Sequence, residues 1–264
     1  MSDRPCFNGI GFDEMHSFLE EKYIKFNNTG FISNDPVSVP HSYHDKRDIE
    51  ISAFLTAIIS WGRRDLIIKS ASKLMQMMGE SPYEFLMEAG EDDLERFDDF
   101  YYRTFQGQDC VFFLKSLKRI YSSHNSLEDM VKIPFEKGMG TKEAIIIFRE
   151  HFLSLAHDKR VEKHFANPNS GAAGKRLNMF FRWMVRHDNH GVDFGIWDSI
   201  PASELYIPLD IHSGNISRKL GLLTRKANDW RAVEELTAIL RLFDPEDPVK
   251  YDYALFGLGV NDMF

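Results

Sequence analysis

Apolar residues recur at helical spacing along nearly the whole chain. After Asp48, "IEISAFLTAIISW" places Ile51, Phe54, Leu55, Ile58 and Ile59 at i, i+3, i+4, i+7 and i+8, one continuous helix face. "DLIIKSASKLMQMM" repeats the pattern until Gly79 stops it. "SPYEFLMEA" opens with a capping box from Ser81 to Glu84 and carries Pro82 at the first helical position. Asp109 is placed to cap "CVFFLKSLKRIYSS", and Thr141 to cap "KEAIIIFREHFLSLA". Further helices are predicted after Gly174, from about Ile211 to Leu220, through "DWRAVEELTAILRLF", and after Asp247-Pro248, about nine in all. Strand patterns are scarce. "ELYIPL" is short and holds a proline, which suits an extended connection. The loosest segments are Asn27 to Pro40 and His187 to Gly195. The fold class is therefore all-α, with one globular unit built from two helical lobes: a central lobe over 62–165, and a second over 1–61 plus 176–264.

The 264 residues are enough for such a pair of lobes around a sizeable core. Hydrophobic content of 43% and charged content of 27% belong to ordinary globular proteins. No apolar run approaches the roughly 20 residues that cross a bilayer, so no membrane partner is expected. "MSDRPCFNGIGFDEM" lacks the basic and apolar regions of a signal peptide. With only Cys6 and Cys110, neither a disulfide framework nor a four-cysteine metal site is available. A reducing cytoplasm is the expected setting.

The net charge of −8 argues against a polyanionic partner until its distribution is read. Glu84, Glu88, Glu91, Asp92, Asp93, Glu95, Asp98 and Asp99 crowd one stretch relieved only by Arg96. Lys159, Arg160, Lys163, Lys175, Arg176, Arg182 and Arg186 crowd another, with Glu162 the one acid. Local charge decides whether a polyanion docks. Both runs also fit plain solvated faces, and the arginines of the second would then meet either phosphates or the acidic run. Arg218, Lys219, Arg225 and Lys226 add cations further on, which leans toward phosphate.

Two short motifs carry the chemistry. In "SGAAGKRLNMFFRWMVR", Gly171 and Gly174 precede a helix start, followed at once by Lys175 and Arg176. Backbone N–H groups at a helix N-terminus are unpaired and partly positive, and glycine lets a phosphate come close to them. In "IPLDIHSGNISRKLGL", Pro208 ends the preceding segment and Asp210 stands at an N-cap position. Each motif alone also fits a tight turn or an ordinary cap.

Together, a glycine hairpin with lysine at the start of its second helix and a later Pro-x-Asp-x-His resemble the helix-hairpin-helix DNA glycosylases. The branch that excises 8-oxoguanine, including compact archaeal enzymes, is the most similar. The longer run from "DPVSVPH" through "RLNMFFRWMVR" and "YIPLDIH" to "DPVKYDYALFGLG" resembles an uncharacterised bacterial family next to those glycosylases. The resemblance implies a helix-hairpin-helix element near 165–180, between the lobes. It also implies Lys175 as nucleophile, Asp210 as its partner, His212 following the aspartate, damaged double-stranded DNA as partner and no cofactor. The usual hairpin has glycines four and two residues before the lysine. Here Gly171 keeps the first place, Ala173 takes the second, and Gly174 abuts the lysine.

The implied reaction displaces a base from the anomeric carbon of a deoxyribose, leaving a Schiff base that permits strand cleavage. A lysine amine attacks only uncharged, a state that burial against "LNMFF" and the cationic Arg176 would favour. Asp210 would stabilise positive charge on the sugar and help move a proton. Such an enzyme must hold a flipped base. Trp61 would stack on it, Met179 would line its pocket, and Arg63 or Arg64 would fill the gap or hold the opposite strand. Gly171, Gly174, Arg176 and His212 complete the expected DNA contacts. For Trp61 and Met179, core packing is the competing reading.

Two rivals remain at this stage. One is a helical DNA-binding protein without catalysis. The other is a helical metal phosphohydrolase built on His44-Asp45, drawing on His16 or His41 and on Asp210.

Overall fold

A computed structural model describes residues 5–260. Among the described residues there are twelve α-helices: α1 (Phe12–Phe26), α2 (Lys46–Ile58), α3 (Arg64–Met78), α4 (Pro82–Glu88), α5 (Glu91–Glu95), α6 (Gly107–Tyr121), α7 (Glu128–Glu136), α8 (Thr141–Phe152), α9 (Lys175–Val185), α10 (Ile211–Lys219), α11 (Trp230–Phe243) and α12 (Tyr251–Val260). Short 3₁₀ turns join several of them, and the described residues contain isolated bridges but no strands. The all-α expectation holds. No described helix is long and apolar enough to cross a membrane.

The chain divides into two compact units, one of residues 1–31 and 168–264, the other of residues 32–167. Residues 32–61, assigned by the sequence reading to the terminal lobe, therefore belong with the middle of the chain. Helix α2 explains why. From Asp48 to Ile58 every residue is buried, so this helix is sheathed on all sides rather than laid on a surface. It packs against α3 and α4. The Phe54 ring meets Phe113, Phe148, Phe152 and Phe165 at centroid distances of 5.2–6.1 Å. Glu50, fully buried, accepts from the Tyr121 hydroxyl (2.8 Å), the Leu127 amide (3.0 Å) and Ser126 Oγ, which satisfies a carboxylate that burial would otherwise penalise.

Several helix starts differ from expectation by a turn. Asp45 caps α2, accepting from Arg47 N at 2.9 Å. Asp48 lies inside α2 and instead receives Tyr83 N (2.8 Å) and Ser81 Oγ (3.1 Å), serving the start of α4 from a neighbouring helix. Ser81 caps α4 as expected, with Glu84 N donating at 3.2 Å. Asp109 sits one turn inside α6 and reaches back to Gln106 N at 2.8 Å, and Gly140 rather than Thr141 caps α8. The sequence reading named neither α1 nor α5 nor α7. The segment expected to be loose from Asn27 to Pro40 is wound into 3₁₀ turns (Thr29–Asn34, Pro36–Ser38), with another at Pro40–Ser42.

In the other unit, α12 is the central helix, packed by α1 and α10. Trp183, Trp197 and Trp230 fill the surrounding core. Residues 205–210 run as the extended connection the proline suggested and deliver the chain to α10.

Candidate functional site

The loop before α9 is built on glycine. Gly171 has φ +86° and Gly174 φ +63°, left-handed values that a side chain resists. Gly174 is the N-cap of α9, and a Cβ there would meet the Trp230 ring at 3.3 Å. Trp230 N donates to Gly171 O at 3.0 Å, and Ala172 bridges Asp229, so the loop is tied to the start of α11. Asn178, one turn into α9, donates to Ala173 O at 3.2 Å and closes the loop from inside. The segment before the loop is the 3₁₀ turn Pro168–Ser170. Lys159–His164, where the first helix of a hairpin would lie, is also 3₁₀ and not α-helical.

Lys175 is the first residue of α9 and is half-buried. It makes no hydrogen bond or ion pair with the described residues. Arg176 is also half-buried, and desolvation pushes its guanidinium down to about 10. Met179 is buried in α9.

Asp210 caps α10 through a reciprocal box: its Oδ1 accepts from Ser213 N at 2.9 Å while Ser213 Oγ accepts from Asp210 N at 3.0 Å. Ser213 Oγ also donates to Oδ1 at 3.2 Å. Oδ2 receives no hydrogen bond from the described residues and is left for other work. Capping therefore occupies one oxygen of the carboxylate. Beside it, Ile211 is 71% exposed, an unusual state for so large an apolar side chain. His212 is exposed too, with Nδ1 3.3 Å from Gly259 O at the end of α12.

Lys175 and Asp210 meet electrostatically at a third residue that the sequence reading passed over, Asp252. It lies in the first turn of α12 and is 6% exposed. Burial pushes its carboxyl up to about 7; Arg182 and Lys175 oppose that rise, and Asp210 and Asp193 add to it. One buried acid thus feels both the candidate nucleophile and its candidate partner. The packing of α10 on α12 supplies one half of that convergence, and α9 the other. Asp252 lay within the quoted "DPVKYDYALFGLG", but nothing in the string distinguishes it from Asp247 or Tyr253 without the packing.

The arginines further along α9 are structural. Arg182 and Arg186 are buried and meet neither the acidic run nor open solvent. Arg182 donates to Asp252 and, at 3.3 Å, to Asp193. Arg186 reaches Asp193 (3.0 Å), Asp247 (2.8 Å), Asp188 (2.5 Å) and the Tyr23 hydroxyl (2.8 Å). Burial alone would lower the pKa of Arg186; Asp193 and Asp247 outweigh it and raise it. The expected loose segment at 187–195 is thereby pinned by charge. The acidic run is the solvated face, all eight of its acids being exposed. Of the later cations, Arg218 donates to Asn228 and to Arg225 O, and Arg225 pairs with Asp229.

Trp61, Arg63 and Arg64 belong to the other unit. Trp61 is half-buried, stacked on His164 (centroids 5.9 Å apart) and met edge-on by Tyr102 (5.3 Å). Its carbonyl accepts from the Tyr102 hydroxyl at 2.7 Å. Core packing is thus an observed role of this ring. Arg63 precedes α3, pairs with the exposed Asp65 at 2.6 Å and projects into solvent, while Arg64 opens α3. Of the residues proposed for a metal site, Asp45 is a helix cap held by Arg47, and no cluster of three His, Cys, Asp or Glu side chains placed to hold a metal occurs among the described residues.

The molecule is thus an all-helical protein in which the buried Asp252 of α12 feels the charges of Lys175 on α9 and Asp210 on α10. The chain belongs to the family described as "protein of unknown function (DUF2400)", whose model matches residues 35–261. No curated protein and no solved structure matches it.

Proposed function

We propose that this protein is a DNA N-glycosylase with abasic-site lyase activity, acting on an oxidised purine such as 8-oxoguanine in duplex DNA. The observation that carries the reading is the shared action of Lys175 and Asp210 on the buried Asp252, although 35 residues separate the first two in sequence (175 to 210). The resemblance described above assigns chemistry to that pair.

In the proposed reaction the free amine of Lys175 attacks C1′ of the damaged nucleotide, and the bond from C1′ to the base breaks. The base leaves with the electron pair and takes up a proton. The amine loses its proton, the sugar ring opens, and a Schiff base links Nζ to C1′. Loss of a C2′ proton then expels the 3′ phosphate, cutting the strand. The uncommitted oxygen of Asp210 supports the positive charge on the sugar as the base departs. Asp252, whose carboxyl burial pushes up to about 7, holds or returns a proton within the electrostatic reach of that pair.

The test is borohydride trapping on duplexes containing 8-oxoguanine or an abasic site. A covalent adduct is expected with the native protein and not with Lys175→Ala. A non-catalytic helical DNA-binding protein is the competing reading. Duplex binding without any adduct would establish it.

A further inference from the structure

Unit 32–167 contains a cavity of about 610 Å³ between one face of α3 and the turn after α5. That volume is the size of an ordinary small-ligand site. Lys69 and Lys73, one helical turn apart on α3, stand on one wall, and Arg103 stands on another. No carboxylate lines it. Neither lysine makes an ion pair or hydrogen bond with the described residues. Asp65, whose charge reaches Tyr102, is engaged by Arg63 at 2.6 Å. In a chain of net charge −8, three cations around one cavity without an acid are a local inversion of sign.

The remaining wall is aromatic. Tyr101 is 75% exposed, with no ring partner among the described residues. Tyr102 is fixed by its hydroxyl on Trp61 O and by the edge of the Trp61 ring. Leu66, 45% exposed, adds an apolar surface on the same helix. Arg103 has φ +54°, a left-handed value uncommon for a residue with a side chain. The turn imposing it is closed by mutual hydrogen bonds between Tyr102 and Phe105 at 2.8 and 2.9 Å. Gly62 lies under the Arg103 guanidinium, where a Cβ would approach to 2.2 Å. Local backbone strain is thus used to hold a cation over the cavity.

We propose that this cavity binds a nucleotide unit, with phosphate held by Lys69, Lys73 and Arg103 and the base stacked on Tyr101. Cations beside an exposed aromatic ring are the general solution for unpaired nucleotides, because each base has a π-face and each unit a phosphate. The unit arrives either free or as part of a single strand. The inference is independent of the glycosylase reading, since Lys175 and Asp210 belong to the other unit.

The experiment compares three probes at low salt: fluorescein-labelled oligothymidylate by anisotropy, AMP by calorimetry, and fluorescein-labelled polyglutamate. Variants are Lys69→Gln/Lys73→Gln and Tyr101→Ala, all at exposed or half-exposed positions, with circular dichroism confirming the fold. We expect oligothymidylate or AMP to bind the native protein and each variant to bind it about tenfold more weakly. Oligothymidylate binding without AMP binding assigns a strand; AMP binding that competes with the oligomer assigns a single unit. For a strand, the slope of log affinity against log salt falls by about 1 to 2 in the lysine variant. No binding of either nucleotide probe, equal binding by native protein and variants, or equal binding of polyglutamate overturns the proposal, the last in favour of an acidic polypeptide.

Discussion

Arg182 donates to the carboxylate of Asp252, joining the helix that begins with Lys175 to the central helix of its unit. Asp252 is held up to about 7, against an ordinary 3.8, chiefly by burial. Between pH about 4 and about 7 the folded protein therefore carries a proton that the unfolded chain has released. The stability from that proton is complete below pH about 4 and is lost as pH rises through about 7. Asp252→Asn removes the titration. The stability of the native protein relative to this variant should fall with rising pH across that window, by at most about 1.4 kcal/mol per pH unit. Urea melts of both proteins at several pH values measure it, and parallel profiles would contradict it.

Arg186, itself 1% exposed, pairs with the carboxylates of Asp188, Asp193 and Asp247. Arg186→Met leaves the half-buried Asp247 without its cation and the buried Asp193 with Arg182 alone. Removing one partner of a buried ion pair costs about 3–5 kcal/mol. For a chain of this size that lowers Tm by roughly 10 °C. A thermal melt reads it directly; a shift of a degree or two would mean that the cluster contributes little.

Asp210 has two duties that one pair of variants separates. Asparagine caps a helix as well as aspartate does, whereas alanine forfeits about 1 kcal/mol. Asp210→Asn should therefore melt like the native protein and yet lose trapping, while Asp210→Ala loses both. Full trapping by the asparagine variant would reduce Asp210 to a cap.

Gly174→Ala forces a side chain into the left-handed region, which costs about 1–2 kcal/mol. It also presses Cβ against Trp230 at 3.3 Å. Gly171→Ala suffers the backbone strain but meets open space. Denaturant melts should rank Gly174→Ala as the more damaging.

Much of this architecture is legible in the sequence because helix faces and stop residues are local. The Ile51–Ile59 stripe, the Gly79 stop and the Asp210 cap depend only on neighbours within a turn or two. Helix α1 escaped because its buried stripe is a single residue per turn, Met15, Leu19 and Tyr23. Helix α7 carries Pro134 within it, a residue that argues against helix. The unit boundary was misplaced because α2 looks amphipathic in sequence but is buried all round by elements that are distant along the chain. At the site, Lys175 and Asp210 stand in recognisable strings. Asp252 does not, since its importance comes from what α9 and α10 bring to it. The arginines of α9 were misread for the same reason: spacing shows that a cation is present, and only packing shows that it is buried.

The charge lattice around Arg182 and Arg186 fixes how the candidate nucleophile behaves mechanically. Sliding or rotating α9 would tear several buried ion pairs at once, so Lys175 stands at the tip of a rigid strut. On the proposed glycosylase reading, a strand of DNA would have to be bent and opened to meet the amine, and the work of alignment would fall on the substrate.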